Sequence, residues 1–202
     1  MANIITFEGL DYSGKTTILL YMARKFAFRK DFVFNEGPVY PNVLTARLAM
    51  VANQANERER EFLYTMFFMQ DFFEASSKSS DNRFVFQDRY WPSVISYGRF
   101  LNGQNSIHLA SDFRPFFIQP VAVIYFSCSL QEKIKRSNQR GRKSTIDKIL
   151  LENPDQFKRL EIEIDRSLEA LPNVFQIDTS ERTIQETATK IEEYLKSRRI
   201  AF

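Results

Sequence analysis

The 202-residue chain is predicted to fold as an α/β domain, a five-stranded parallel sheet with helices on both faces. Three observations predict it. Five short apolar runs recur along the chain, the stretches between them carry helical spacing, and the first run feeds a glycine-bounded turn that opens into a helix.

The runs are "NIITFE" (3–8), "FVFNE" (32–36), "RFVFQD" (83–88), "VAVIYFS" (121–127) and "NVFQID" (173–178). They are nearly continuous in apolar character, as strands covered on both faces are. Between and after them, apolar residues fall at helical intervals, as in Ile184, Ala188, Ile191 and Leu195. Helices are expected over 15–26, 42–56 and 57–79. Ser129 with Glu132, and Thr183 with Glu186, have the spacing of capping boxes that start helices after the fourth and fifth strands. Repeats, low-complexity tracts and linkers are absent from the sequence, so residues 1–202 read as one domain.

Composition narrows the function. Lys and Arg total 28 against 25 Asp and Glu, a formal charge of +3 that excludes a broadly basic nucleic-acid surface but allows a local cationic pocket. A lone Cys128 and a single His108 exclude a disulfide framework, a Cys-rich metal site and a histidine relay. No apolar run approaches the ~20 residues needed to cross a bilayer, and the first residues read as a strand and motif rather than an export signal. A soluble, cytoplasmic protein with neither membrane nor nucleic acid as partner is expected.

The turn itself reads "FEGLDYSGKTT" (7–17). Gly9, four residues, then Gly14, Lys15 and Thr16 satisfy the phosphate-loop pattern of NTPases, between a strand and a helix as that pattern requires. Backbone N–H groups of Gly9, Leu10, Asp11, Tyr12, Ser13 and Gly14, with the helix start at Lys15, Thr16 and Thr17, form an electropositive concavity for the phosphates of ATP. Lys15 adds a point charge, expected to be an exposed loop cation, and the Thr16 hydroxyl is a candidate Mg²⁺ ligand. The third strand ends at Asp88, where open α/β sheets gather ligands, so Asp88 is the second candidate for the Mg²⁺ shell and Arg89 beside it the anion grip. The alternative for Asp88 is a cap on the helix beginning near Trp91.

"FEGLDYSGKTT" resembles the opening of thymidylate kinases, and "DRYWPSVISY" (88–97) resembles their Asp-Arg-Tyr motif. "FFMQD" (67–71) is similar in position to the helix lining their base pocket, and "QRGRKSTID" (139–147) to their lid, here about 136–148. The resemblance implies a kinase moving the γ-phosphoryl group of Mg·ATP to a deoxynucleoside 5′-monophosphate, dTMP first among them. It implies that Asp11 holds the sugar 3′-hydroxyl, Arg89 the acceptor phosphate, Tyr97 the underside of the sugar, and Phe67 the base. Glu36 follows the second strand as the family's glutamate does. Tyr12 stands where some members carry a catalytic arginine, so the transition-state cations are assigned to the lid, at Arg140, Arg142 and Lys143, with Arg136 as a more distant member of the run. Gly141 is the expected bend of the lid, and the adenine is expected near 178–182. The resemblance also implies a homodimer through the helices at 42–56 and 57–79.

Three positions depart from the family pattern. Asp71 replaces its usual arginine, Gly98 a frequent glutamine, and Asn35 a frequent arginine. Phe67, Gln70 and Asp71 share one helical face, so Asp71 or Gln70 is the expected base reader. On that reading Asp71→Arg improves use of dTMP over dGMP and dCMP. A deoxynucleoside kinase using Glu36 as base, or a nucleotide-binding regulatory protein with a vestigial acceptor site, remain the alternatives at this stage.

Overall fold

The computed structural model describes residues 2–52, 54–77, 82–102, 109–141, 144–169 and 171–200. In chain order these form β1 (Asn3–Glu8), α1 (Lys15–Lys25), β2 (Phe32–Asn35), α2 (Val43–Ala52), α3 (Glu57–Ser77), β3 (Phe84–Asp88), α4 (Trp91–Asn102) and α5 (Leu109–Asp112). A 3₁₀ turn over Arg114–Phe116 leads to β4 (Ala122–Ser127), α6 (Leu130–Arg140), α7 (Thr145–Glu152), α8 (Pro154–Leu168), β5 (Val174–Asp178) and α9 (Ile184–Ser197).

All five strands run parallel, in the order β2-β3-β1-β4-β5. Each overlaps the run expected for it. Ile4 packs into one face of the sheet with Phe68, Trp91 and Leu160 from α3, α4 and α8; Ile5 and Phe7 pack into the other with Met22 of α1 and Ile191 of α9. The central strands are covered on both sides, but β5 is not: Val174 is 38% exposed, on an edge strand with one neighbour in the sheet. The expectation of two-sided cover therefore holds for the middle of the sheet only.

Helix starts follow side-chain chemistry. Thr183 and Glu186 close the full capping box expected before α9. Ser129 accepts from the Glu132 N–H, but the Glu132 carboxylate turns outward to Lys135 and Arg136, leaving that box half formed. A second full box, Ser144 with Asp147, starts α7. Gly141 ends α6 in the left-handed region at φ 69°, so the lid's turn begins where its glycine was expected to bend it.

Candidate functional site

Register builds the site. Phe7 pairs with Asp88 at the C-terminal edge of the sheet, and the Arg89 N–H donates to the Phe7 carbonyl at 3.0 Å. The chain leaving β1 and the chain leaving β3 therefore emerge side by side. Gly9 follows at φ 137°, where a Cβ would sit 2.4 Å from the Phe126 carbonyl oxygen, so no other residue lets the loop pass this close to β4. Gly14, at φ 91°, is the N-cap of α1.

The loop is clamped from outside. Thr179 Oγ1 donates to the Ser13 carbonyl at 2.8 Å, and the Arg136 guanidinium donates to the Tyr12 carbonyl at 3.1 Å and the Thr179 carbonyl at 2.6 Å. Arg136 thus ties lid helix, phosphate loop and the segment after β5 together. The Ser13 hydroxyl is buried with no protein hydrogen bond, a polar group left over inside the loop, which fits a phosphate-binding role.

Lys15 is not the exposed cation that the sequence suggests. It is 4% exposed, donates to the Leu10 carbonyl at 3.0 Å, and burial, with Arg89 nearby, pulls its pKa down to about 8. The Thr16 hydroxyl donates to Asp88 Oδ2 at 2.6 Å, bringing the two expected Mg²⁺ ligands together. Among the described residues no three His, Cys, Asp or Glu side chains cluster as a metal cage, so an ion here would complete its shell with phosphate oxygens and water, as Mg²⁺ does. Asp88 does not cap α4. Glu8 does: its buried carboxylate accepts from the Tyr90 N–H at 2.9 Å, from Thr6 Oγ1 at 2.7 Å and from the Ser93 hydroxyl. Burial holds the Glu8 pKa above the ordinary carboxylate range despite those bonds. The sequence signal for this role is an acid closing an apolar strand.

On the other side of the loop lies a cleft of about 680 Å³ lined by Asp11, Glu36, Arg89, Tyr97 and the inward face of α3. Arg89 has φ 61°, donates to Asp11 Oδ1 at 2.7 Å and lies 5.3 Å over the Tyr97 ring. The Arg89 charge holds the Asp11 carboxyl well below the usual range, and burial pushes the Tyr97 phenol up to about 12. Asp11 also lines a cavity of about 900 Å³ between phosphate loop and lid, with Tyr12, Arg140 and Asp147. There the Tyr12 hydroxyl donates to Asp147 Oδ2 at 3.3 Å. Arg140 lines this cavity; Arg142 and Lys143, the other two lid cations named from the sequence, lie outside the described residues.

The face of α3 turned to the cleft is one turn upstream of the expected one. It presents Arg60, Glu61, Tyr64, Phe67 and Phe68, at helical spacing. Phe67 borders the cleft as expected, 4% exposed, its ring 5.6 Å from that of Tyr64. Gln70 instead donates to Glu74 at 3.1 Å. Asp71 is fully buried and accepts from the backbone N–H groups of Val39 and Tyr40, both at 2.8 Å. Asp71 fastens the segment after β2 to α3 and does not line the cleft. Because its removal strands two buried donors, Asp71→Arg is expected to lower stability by roughly 2–3 kcal/mol in a denaturant titration, without improving the preference for dTMP; a stable variant with an improved preference returns Asp71 to the base site.

Asn35 likewise serves the fold, donating to Gln87 at 2.7 Å. Gly98 on α4 faces α3: a Cβ there would lie 2.8 Å from the Glu61 carboxyl carbon.

The fold recurs in solved enzymes. The thymidylate kinase of Ehrlichia chaffeensis superposes with a TM-score of 0.67 at 16% identity, covering 96% of this chain and 98% of its own. That of Candida albicans gives 0.62 at 17% identity, covering 98% and 93%. In sequence, the chain is 26% identical over 154 residues to a Treponema pallidum (strain Nichols) protein whose assignment as a thymidylate kinase is itself provisional, covering 69% of this chain and 68% of that one. The sequence profile of thymidylate kinase matches residues 7–191, from the end of β1 through the phosphate loop, the Asp-Arg-Tyr segment and the lid into α9. The chain therefore belongs to the thymidylate kinase family of ATP-dependent nucleoside-monophosphate phosphotransferases.

Proposed function

We propose that the protein transfers the γ-phosphoryl group of ATP to a deoxynucleoside 5′-monophosphate, with dTMP an acceptor and Mg²⁺ as the metal. One observation carries the reading: the two clefts meet at Asp11, which lines both. A donor phosphate chain held by the loop from one side and an acceptor phosphate held by Arg89 from the other converge there. Such a convergence is what an in-line phosphoryl transfer needs.

Each residue then has a task. Backbone N–H groups of the loop and the start of α1 hold the β- and γ-phosphates, and Lys15 lies beneath them. Thr16 and Asp88 would hold Mg²⁺, which supplies charge neutralisation on the phosphate oxygens. Asp11 is kept ionised by Arg89 and so accepts from the sugar 3′-hydroxyl; Tyr97 closes the sugar side. Arg140, with Arg142 and Lys143, supplies the lid cations that Tyr12 cannot. An acceptor that is already an anion needs no general base. Arg89 in the acceptor cleft suits such an anion better than the neutral 5′-hydroxyl that a deoxynucleoside kinase would activate through Glu36. ADP release measured with dTMP and with thymidine tests this: turnover is expected with dTMP alone, and turnover with thymidine alone overturns it.

A homodimer and a cytoplasmic location complete the proposal. Val43, Met50 and Val51 on α2 and Phe62 and Phe73 on α3 are each about half exposed or more, on two helices packed side by side. That apolar stretch is of the kind that subunit contacts cover. Among the described residues no helix is long and apolar enough to cross a membrane. Sedimentation is expected to give twice the 23.8 kDa chain mass, and Met50→Glu with Phe73→Glu is expected to give the monomer; an unmodified chain sedimenting as a monomer at micromolar concentration refutes the dimer.

A further inference from the structure

We propose that Tyr12 is a positioning residue for phosphoryl transfer, the point at which the lid docks on the phosphate loop through the Tyr12 hydroxyl and Asp147. The proposal rests on the kinase reading above and deepens it.

Three observations combine. Tyr12 has φ 65°, in the left-handed region that favours glycine, and the two other loop residues at positive φ, Gly9 and Gly14, are glycines. A tyrosine held in that conformation calls for a contact that glycine cannot make. The lid supplies one at each end of the residue. Arg136, on α6, donates to the Tyr12 carbonyl at 3.1 Å, and Asp147, on α7, accepts from the Tyr12 hydroxyl at 3.3 Å. The helices before and after the lid's turn thus meet the loop at a single residue. Finally, Asp147 is a fixed target. It is buried, its carboxylate accepts from the Ser144 N–H at 2.9 Å, and its own N–H donates to the Ser144 hydroxyl at 3.1 Å, which closes the box that starts α7.

The place of this contact gives it a task in the reaction. Ser144, the first residue of the box, lines both the lid cavity and the acceptor cleft, as Asp11 does, so the bond to Tyr12 pins the start of α7 where the two spaces meet. Arg140, at the end of α6, lines the same lid cavity. Burial, and then the charge of Asp147, raise the pKa of the Tyr12 phenol, which therefore keeps its proton and acts as a donor. Tyr12 brings no charge to the transferring group; it holds in place the lid that does. Because loop N–H groups hold the phosphates of ATP, loss of the bond falls on kcat and not on KM for ATP.

The test is a double-mutant cycle on kcat with dTMP and Mg·ATP, with thermal unfolding to verify each fold and amide hydrogen exchange as a readout that needs no turnover. Tyr12→Phe keeps the ring and the backbone and removes only the hydroxyl; it is expected to lower kcat by about threefold to tenfold with KM for ATP unchanged. Asp147→Ala is expected to lower kcat at least as far, and adding Tyr12→Phe to it is expected to cost nothing more, because both changes remove one bond. Tyr12→Gly suits the backbone better and is still expected to lose kcat. Effects that multiply in the double variant, or full kcat in Tyr12→Phe or Tyr12→Gly, overturn the proposal. Amide exchange in α7 is expected to rise in Tyr12→Phe while that of α9 stays the same; unchanged exchange in α7 also overturns it. Faster exchange in α7 of Tyr12→Phe, from an unmodified protein that turns over no monophosphate, supports Tyr12 as the docking point of the lid and removes the kinase reading instead.

Discussion

Lys15→Met is expected to abolish most turnover and to stabilise the protein at once. On the proposed mechanism the kinetic loss follows from removing the phosphate loop's cation, and is expected at roughly 10²–10³-fold in kcat. The stability gain follows from burial. The Lys15 pKa lies at about 8, against 10.5 for a free lysine, so its charged form is less favourable in the folded protein than in the unfolded chain. Between those two values the unfolded chain binds more protons, and stability rises with pH there. Below pH 8 the full penalty is present, on the order of 1–3 kcal/mol. Lys15→Met is therefore expected to melt higher than the unmodified protein at pH 7, with the difference narrowing as pH rises from about 8 toward 10.5. In the unmodified enzyme kcat/KM for ATP is expected to fall as pH rises through about 8, since that quantity reports the free enzyme. A destabilised Lys15→Met variant, or kcat/KM flat to pH 9.5, overturns this account of the lysine.

The second large effect is expected at Arg89. Its guanidinium bonds Asp11 at 2.7 Å and Ser93 at 3.3 Å and lies over Tyr97, so it ties together the groups that the proposed mechanism gives to the acceptor's sugar and phosphate. Arg89→Ala is expected to lower kcat/KM for dTMP by about 10²–10³-fold, through both KM and kcat, because the lost contact serves ground state and transition state alike. Lysine is expected to restore little: a point charge cannot bond a carboxylate on one edge and a phosphate on the other, as a planar fork does. The Asp11 carboxyl, no longer held low by its partner, is expected to titrate higher in the alanine variant, which NMR detects directly. If only KM for ATP responds, Arg89 belongs to the donor side.

Much of this molecule was legible in its amino-acid order. The five strands, the phosphate loop from Gly9 to Thr16, the box at Thr183, and the pairing of Thr16 with Asp88 follow from patterns that act over a few residues or from the rule that ligands gather at strand C-termini. Local rules could not give how far along α3 the cleft reaches. Spacing says that Phe67, Gln70 and Asp71 share a face; it does not say which turn of that face borders the cleft. That was decided by packing, with Asp71 drawn into the fold by the N–H groups of Val39 and Tyr40, thirty-odd residues earlier in the chain. Buried donors without a partner are costly, and this takes Asp71 out of the cleft and leaves the preceding turns of α3, with Tyr64 and Phe67, to line it. The burial of Lys15 and the capping of α4 by Glu8 are of the same kind. Sequence alone determined the fold and the phosphate loop, because both rest on short-range backbone geometry; tertiary structure decided which acids hold the molecule together and which line the cleft, because that depends on which buried groups of distant segments must satisfy one another.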